Sequence, residues 1–352
     1  MKKIIHGGDI YSQIGKHDRI IDFSANINPL GIPQKVKEAL HNAVDMVESY
    51  PDPLCRELTK SLAKKENIPE DYFVMGNGAA DLIYRFVIAA KPKKALILAP
   101  TFSEYELALK TVECEVEYFR LKESTDFSIT EEILDCITKE IDVIFICNPN
   151  NPTGIIADTK IMIQILDKCK INGSILVVDE CFNDFLDDGH SHTLKNELEN
   201  HKNLFILRAF TKIYAIPGVR LGFGMSSNAD LIDKINDVGQ AWSVSVFAQE
   251  AGIAALSEDN YISETLNYVK NEREYLKKSL RNMGFTVFNS SANYIFFKNN
   301  FNVEIKSELE KYGILIRSCD NYVGLSKNYY RIAVKTKGDN EILIETLGKI
   351  LK

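Results

Sequence analysis

Four short runs of consecutive apolar residues, each closing on polar ones, constrain this chain more than any other feature. They are ALILAP (95–100), VIFICNP (143–149), SILVVDE (174–180) and NLFILRAF (203–210). Uninterrupted Val, Ile, Leu and Phe over so few residues suit a strand buried on both faces, which is the situation of a parallel sheet covered by helices. Segments of helical period, such as 103–112 and 159–171, lie between the runs. The alternation from about 70 to 250 therefore predicts an α/β fold, a mostly parallel sheet sandwiched by helices. Ligands of such sheets sit beyond the carboxyl ends of the strands. The residues found there are Pro100-Thr101-Phe102, Asn148-Pro149, Asp179-Glu180 and Arg208.

After about 255 the pattern changes. A long charged helix (258–283) leads to shorter strand-like runs at 285–289, 293–297, 314–317 and 329–334, and a last helix spans about 339–351. This reads as a smaller α+β domain. At 352 residues the chain has room for about two domains. The expected division is a large domain over 46–255 and a small one assembled from 1–45 and 256–352.

Lys and Arg number 42 against 49 Asp and Glu, a net charge of −7. That balance argues against nucleic acid or an anionic membrane as the main partner, while leaving small anions open. The seven cysteines are odd in number, scattered and without a C-x-x-C pair, which suits a reducing compartment. MKKIIHGGDI is no signal-peptide core, and no apolar run approaches the ~18 residues of a membrane helix. A cytoplasmic protein is expected.

Several motifs could carry chemistry. In RAFTKIYAIPGVRLGFG (208–224), Lys212 follows a buried run and Arg220 comes eight residues later. A lysine in a pocket at a strand end can lose its charge and capture a carbonyl, although a lone loop lysine is ordinarily a surface residue. NPNNPTG (148–154) marks a turn, and Asn151 could donate from it to a ligand oxygen. Asp179 closes a strand expected to be buried, where a carboxylate needs a cationic partner or else caps the following turn. GNGAAD (76–81) opens a helical stretch whose exposed amides, at Gly78, Ala79 and Ala80, could hold a phosphate. It lacks both the dinucleotide fingerprint and the P-loop lysine. Phe102 could stack on an aromatic ligand or sit in the core. HSH, with His190 and His192, lies in an acidic loop with no other ligand close by, so no metal site is expected.

In this order the motifs resemble the pyridoxal-phosphate enzymes of the aspartate-aminotransferase fold, and the likeness covers essentially the whole chain. The resemblance implies pyridoxal 5'-phosphate as cofactor, with Lys212 capturing its aldehyde carbon and Asp179 pairing with its ring nitrogen. Asn151 would meet the ring oxygen and Phe102 the ring face. Gly78, Ala79, Ala80, Thr211 and Arg220 would hold the phosphate. Tyr50, in YPDP, resembles the tyrosine that a neighbouring subunit contributes in a homodimer. Arg331, in YYRIAV, resembles the arginine that grips a substrate carboxylate.

Two branches of the family compete, the histidinol-phosphate aminotransferases and the threonine-phosphate decarboxylases of cobalamin biosynthesis. HGGDIY (6–11), FSANINPLGIP (23–33) and RSCDNYVGL (317–325) resemble the second. On that likeness His6, Gly7, Asn28 and Arg317 would meet a small phosphorylated amino-acid substrate, although a frayed terminus is the plainer reading of His6. Phe182 stands where aminotransferases of this fold usually carry Tyr, and Ala209 where many relatives carry Ser or Thr. Which bond to the substrate's Cα breaks would depend on its posture, and residue types alone leave decarboxylation and transamination both open. A third reading is a ligand-sensing module of the same fold. It would need an appended DNA-binding segment, for which there is no room before residue 20.

Overall fold

A computed structural model of the chain describes residues 6–188 and 191–352. The strands in chain order are β1 (Ile21–Asp22), β2 (Phe73–Gly76), β3 (Lys94–Ala99), β4 (Glu115–Arg120), β5 (Val143–Cys147), β6 (Ile175–Asp179), β7 (Leu204–Ala209), β8 (Gly222–Met225), β9 (Thr286–Val287), β10 (Tyr294–Lys298), β11 (Ile314–Leu315), β12 (Arg317–Ser318) and β13 (Tyr329–Ala333). The helices are α1 (Gln34–Asn42), α2 (Arg56–Glu66), α3 (Ala79–Ala90), α4 (Glu104–Lys110), α5 (Ile133–Cys136), α6 (Thr159–Asn172), α7 (Phe210–Ile213), α8 (Ala229–Asp237), α9 (Val246–Ala255), α10 (Asp259–Asn282), α11 (Ile305–Glu310) and α12 (Lys337–Ile350).

The four apolar runs become β3, β5, β6 and β7, side by side in a seven-stranded sheet of order β2-β8-β7-β6-β5-β3-β4. Every pairing is parallel except those of β8, which runs against both neighbours. The runs do not alternate in hydrophobicity because both faces are covered. Leu96, Leu98, Ile144, Ile146, Leu176, Val178, Leu204 and Ile206 enter one core cluster. Their neighbours Ala95, Ile97, Val143, Phe145, Val177, Phe205 and Leu207 enter another. That is the period-2 geometry of a strand with apolar layers on either side.

The helices have local causes. In α6, Asp158 accepts from the amides of Lys160 and Ile161, Gly173 ends the helix at a φ of 79°, and Ile161, Met162, Ile165, Leu166 and Cys169 form the buried face. The weaker strands β2, β4 and β8 were not legible from hydrophobic runs. β8, sequence GFGM, is half glycine for steric reasons. A Cβ on Gly222 would stand 2.5 Å from the Ala79 amide nitrogen, and one on Gly224 would stand 2.4 Å from the Phe205 ring.

A second, antiparallel sheet has the order β12-β13-β10-β9, and β1 pairs in parallel with β11. The N-terminal stretch therefore joins the C-terminal strands: Phe23 N donates to Leu315 O, and Ala333 N donates to Phe23 O. Its helix α1 packs instead on α9. No helix among the described residues is long and apolar enough to cross a membrane.

Strand periodicity corrects one sequence expectation. Asp179 and Glu180 are adjacent, and so is their contrast: Glu180 and Arg208 belong to the face away from the ligand cavity. Arg208 Nη2 donates to Glu180 Oε2 at 2.9 Å and Nη1 to Glu66 at 3.3 Å, while Thr193 Oγ1 and Leu194 N also donate to Glu180. Both charged groups are buried and satisfied, which makes them structural. Removing one partner leaves the other buried and uncompensated. Glu180→Ala should cost about 3–5 kcal/mol in a urea unfolding titration; a loss under about 1 kcal/mol would place the network at the solvated surface.

Candidate active site

A cavity of about 430 Å³ opens at the carboxyl ends of β5, β6 and β7. It is walled by Cys147, Asn151, Asp179, Ala209, Thr211 and Lys212 on one side and by Ala79 and Ala80 at the start of α3. The N-terminal segment and the second sheet close it with His6, Gly7, Asn26, Arg317, Tyr322 and Arg331.

Asp179 ends β6 with its carboxylate turned to the cavity face and is 5% exposed. Tyr105 OH donates to Oδ2 at 2.6 Å and Cys181 N to Oδ1 at 3.0 Å. Burial and the adjoining carboxylate push the Tyr105 phenol far up, so it stays a donor. These two bonds aim the carboxylate and leave it lone pairs for a cationic partner.

Lys212 sits in α7, the short turn that follows β7. Burial lowers its ammonium to about 8; Arg331 and Arg220 push the same way, against Cys181 and Asp179. Burial holds the neighbouring Cys181 thiol well above its usual value, so that thiol does not compete as a nucleophile.

Gly78 precedes α3 at a φ of 83°, and a Cβ there would come 2.4 Å from Arg220 Nη2. Glycine thus lets the guanidinium close over the helix start. Arg220 is itself left-handed, at φ 63°, with Nη1 donating to Pro217 O at 3.0 Å. The amides of the first turn of α3, the Thr211 hydroxyl and Arg220 make a cradle that suits a phosphate. A nucleophilic amine, a buried aimed carboxylate and that cradle, all on one cavity, are a donor set that fits pyridoxal phosphate.

The substrate side is cationic. Arg317 on β12 and Arg331 on β13 are direct cross-strand partners, which puts both side chains on one face. Arg331 Nη1 donates to Asn151 Oδ1 at 2.5 Å and Nη2 to Ser24 O at 2.6 Å, and its buried Nε has no partner among the described residues. Because Asn151 spends its amide oxygen on Arg331, its NH₂ is the end that can face a ligand. Arg317 donates to Asn321 Oδ1 at 2.6 Å and lies 5.4 Å from the Tyr322 ring centre. Phe102 also lines the cavity, and Phe182 packs edge-on against Tyr294 with no hydroxyl to offer.

One expected residue is misplaced. Asn28 does not line the cavity: its Nδ2 donates to Ile213 O and Thr265 Oγ1, and its Oδ1 accepts from Leu30 N. The lining residue is Asn26, 3% exposed, whose Oδ1 has no partner among the described residues. A tight turn, Ile27 N to Ala25 O, breaks the alternation that would have put both asparagines on one side. Tyr50 is 79% exposed, stacks on Trp242 at 4.5 Å and does not reach this cavity in its own chain. Sequence reading passed over Glu104, Tyr105 and Tyr322; the S-E-Y that follows Phe102 was the only available signal for the first two. His190 lies outside the described residues, and among those described no cluster of His, Cys, Asp and Glu could hold a metal ion.

The profile of the family "Aminotransferase class I and II" matches residues 18–347. The threonine-phosphate decarboxylase of Salmonella typhimurium is 35% identical over 98% of this chain and 96% of its own length. The adenosylcobalamin biosynthesis bifunctional protein of Leptospira interrogans is 34% identical over 98% of this chain and 41% of its own. Among solved structures, the histidinol-phosphate aminotransferase from Clostridium acetobutylicum superposes with a TM-score of 0.88 at 32% identity, covering 94% of this chain and 98% of that one. With the matched profile spanning nearly all of its length, the chain belongs to the class I and II aminotransferase family of pyridoxal-phosphate enzymes.

Proposed function

We propose that the chain decarboxylates L-threonine O-3-phosphate to (R)-1-amino-2-propanol O-2-phosphate, the linker of the cobalamin nucleotide loop, using pyridoxal phosphate. The observation that carries this reading is the cross-strand pairing of Arg317 with Arg331 under an N-terminal lid of His6, Gly7 and Asn26. Two guanidinium groups directly opposite each other repel unless something anionic lies between them. A substrate with a phosphate at one end and a carboxylate at the other meets that need. The full-length likeness to a threonine-phosphate decarboxylase points the same way.

Pyridoxal phosphate, when bound, supplies an electron sink for the bonds to the substrate's Cα. The residues do the rest. Ala79, Ala80, Thr211 and Arg220 would hold the cofactor's phosphate, and Gly78 leaves room for Arg220 to do so. Asp179, aimed by Tyr105, would keep a proton on the ring nitrogen. Asn151 would donate its NH₂ to the ring oxygen, and Phe102 would pack on the ring. Arg331 grips the carboxylate, and Arg317, Asn26 and His6 take the phosphate. Held at both ends, the substrate would be fixed in a single posture by Arg331 and Arg317, and the cofactor would supply the electron sink for loss of CO₂ in that posture. Lys212, which lines the same cavity, would return a proton to the substrate's Cα.

The active unit proposed is a cytoplasmic homodimer. Tyr50 stacks on Trp242, and Val44, Met46, Val47 and Leu54, near it in sequence, are exposed as well, apolar surface suited to a second copy. From there Tyr50 would reach the neighbouring cofactor phosphate. Sedimentation should give a species of twice 39.8 kDa; a monomer at assay concentrations would remove Tyr50 from the site.

The lowered Lys212 has a pH signature. With an ammonium titrating near 8, roughly a quarter of the amine is neutral at pH 7.5, against about one part in a thousand for an ordinary lysine. Borohydride-fixable capture of pyridoxal phosphate by the apo-protein should rise about tenfold per pH unit below 8 and level off above it. A climb continuing toward 10 would mean a solvated amine. Lys212→Ala should not be labelled at all.

The reaction itself is tested by supplying O-phospho-L-threonine to the holoenzyme without a keto acid. Stoichiometric CO₂ release is expected. Turnover that instead requires histidinol phosphate with 2-oxoglutarate would replace this reading with the aminotransferase one.

A further inference from the structure

His6 reaches the cavity from a segment that is tied down elsewhere. Gly8 N donates to Ser24 Oγ at 2.7 Å, and a Cβ on Gly7 would come 2.2 Å from Ser24 O, so the backbone lies directly on that residue. Ser24 is held in turn by Asp22 and by Arg331. These ties fasten the segment to the second sheet and leave the direction of the imidazole open.

That direction is set from the other side of the cavity. His6 Nε2 lies 2.6 Å from Glu104 Oε1, across 98 residues of sequence. Tyr84 OH, from α3, donates to Glu104 Oε2 at 3.0 Å, so the carboxylate is gripped at both oxygens. The His6 ring leans on Phe102 with centroids 5.8 Å apart. The Glu104 side chain is 14% exposed and that of His6 42%. The bond from His6 leads the influences that hold the Glu104 carboxyl below its usual range, against the effect of burial.

A carboxylate is out of character in this wall. Arg220, Arg317 and Arg331 line the same cavity, and a bare Glu104 would repel any anion they attract. An imidazolium at His6 would neutralise it, and with Nε2 donating to the carboxylate, Nδ1–H would be left for an anionic ligand. We propose that Glu104 is a positioning residue: it clips His6 over the cavity mouth, where the imidazole meets the substrate's phosphate. This rests on the phosphorylated substrate proposed above. Glu104 touches no substrate and acts only through His6.

The test is a double-mutant cycle on the holoenzyme, read as calorimetric Kd for the product 1-amino-2-propanol O-2-phosphate, which is not turned over, and for inorganic phosphate. Glu104→Ala and His6→Ala should each weaken both ligands about tenfold or more, the size of a lost charged hydrogen bond. Glu104→Gln, whose amide oxygen still accepts from the imidazole, should recover most of the loss. The double variant should bind no more weakly than His6→Ala alone, since the carboxylate left behind in that variant only repels. Wild-type protein that binds inorganic phosphate but not 1-amino-2-propanol O-2-phosphate would count against the substrate reading and leave the cycle readable with phosphate. Unchanged affinity in Glu104→Ala, or additive losses in the double variant, would overturn the clip.

Discussion

Arg331 joins three parts of the chain on one guanidinium. It stands in β13, so its backbone belongs to the second sheet. One arm donates to Asn151 in the loop after β5, and the other to the Ser24 carbonyl of the N-terminal segment. The cavity exists because these three parts meet there. The same group turns the Asn151 amide so that its NH₂ points away from Arg331, helps to lower Lys212, and faces Arg317 across the strand pair. An interaction this connected is costly to build from buried charge and hydrogen bonds, and it makes sense as a grip that a ligand anion completes.

The parallel sheet supplies the second constraint. Side chains alternate between faces, so consecutive polar residues at the end of β6 cannot serve one site. Asp179 turns to the cavity with Tyr105, and Glu180 turns to the buried network with Arg208 and Glu66. One charged pair of neighbours therefore yields one group for a ligand and one for stability. The turn after β7 continues the logic: Arg208 belongs to the opposite face, and Lys212, one helical turn on, enters the cavity.

Much of this was legible in the residues. Short runs that are apolar throughout suit strands covered on both sides, and β3, β5, β6 and β7 followed from those runs and the helical-period segments between them. The order of Gly78, Phe102, Asn151, Asp179, Lys212 and Arg220 along the chain already resembles that of the family. What was not legible depended on contacts distant in sequence. β8 hides because its glycines answer to Ala79 and Phe205, and β4 because only its pairing with β3 makes it a strand. Asn26 and Asn28 look equivalent as letters, and a single tight turn decides between them. Glu104 reads as an ordinary helix-start acid until His6 arrives from 98 residues away.

The central claim is that two opposed arginines divide two anions of one substrate. Half-ligands test it most directly: L-threonine carries only the carboxylate, and 1-amino-2-propanol O-2-phosphate only the phosphate ester. Affinities of both for the wild-type holoenzyme, Arg331→Ala and Arg317→Ala should separate. Arg331→Ala should weaken L-threonine more than the phosphate ester, and Arg317→Ala should weaken the phosphate ester more than L-threonine. Equal losses for both ligands in both variants would contradict the division and leave the pair a general cationic wall.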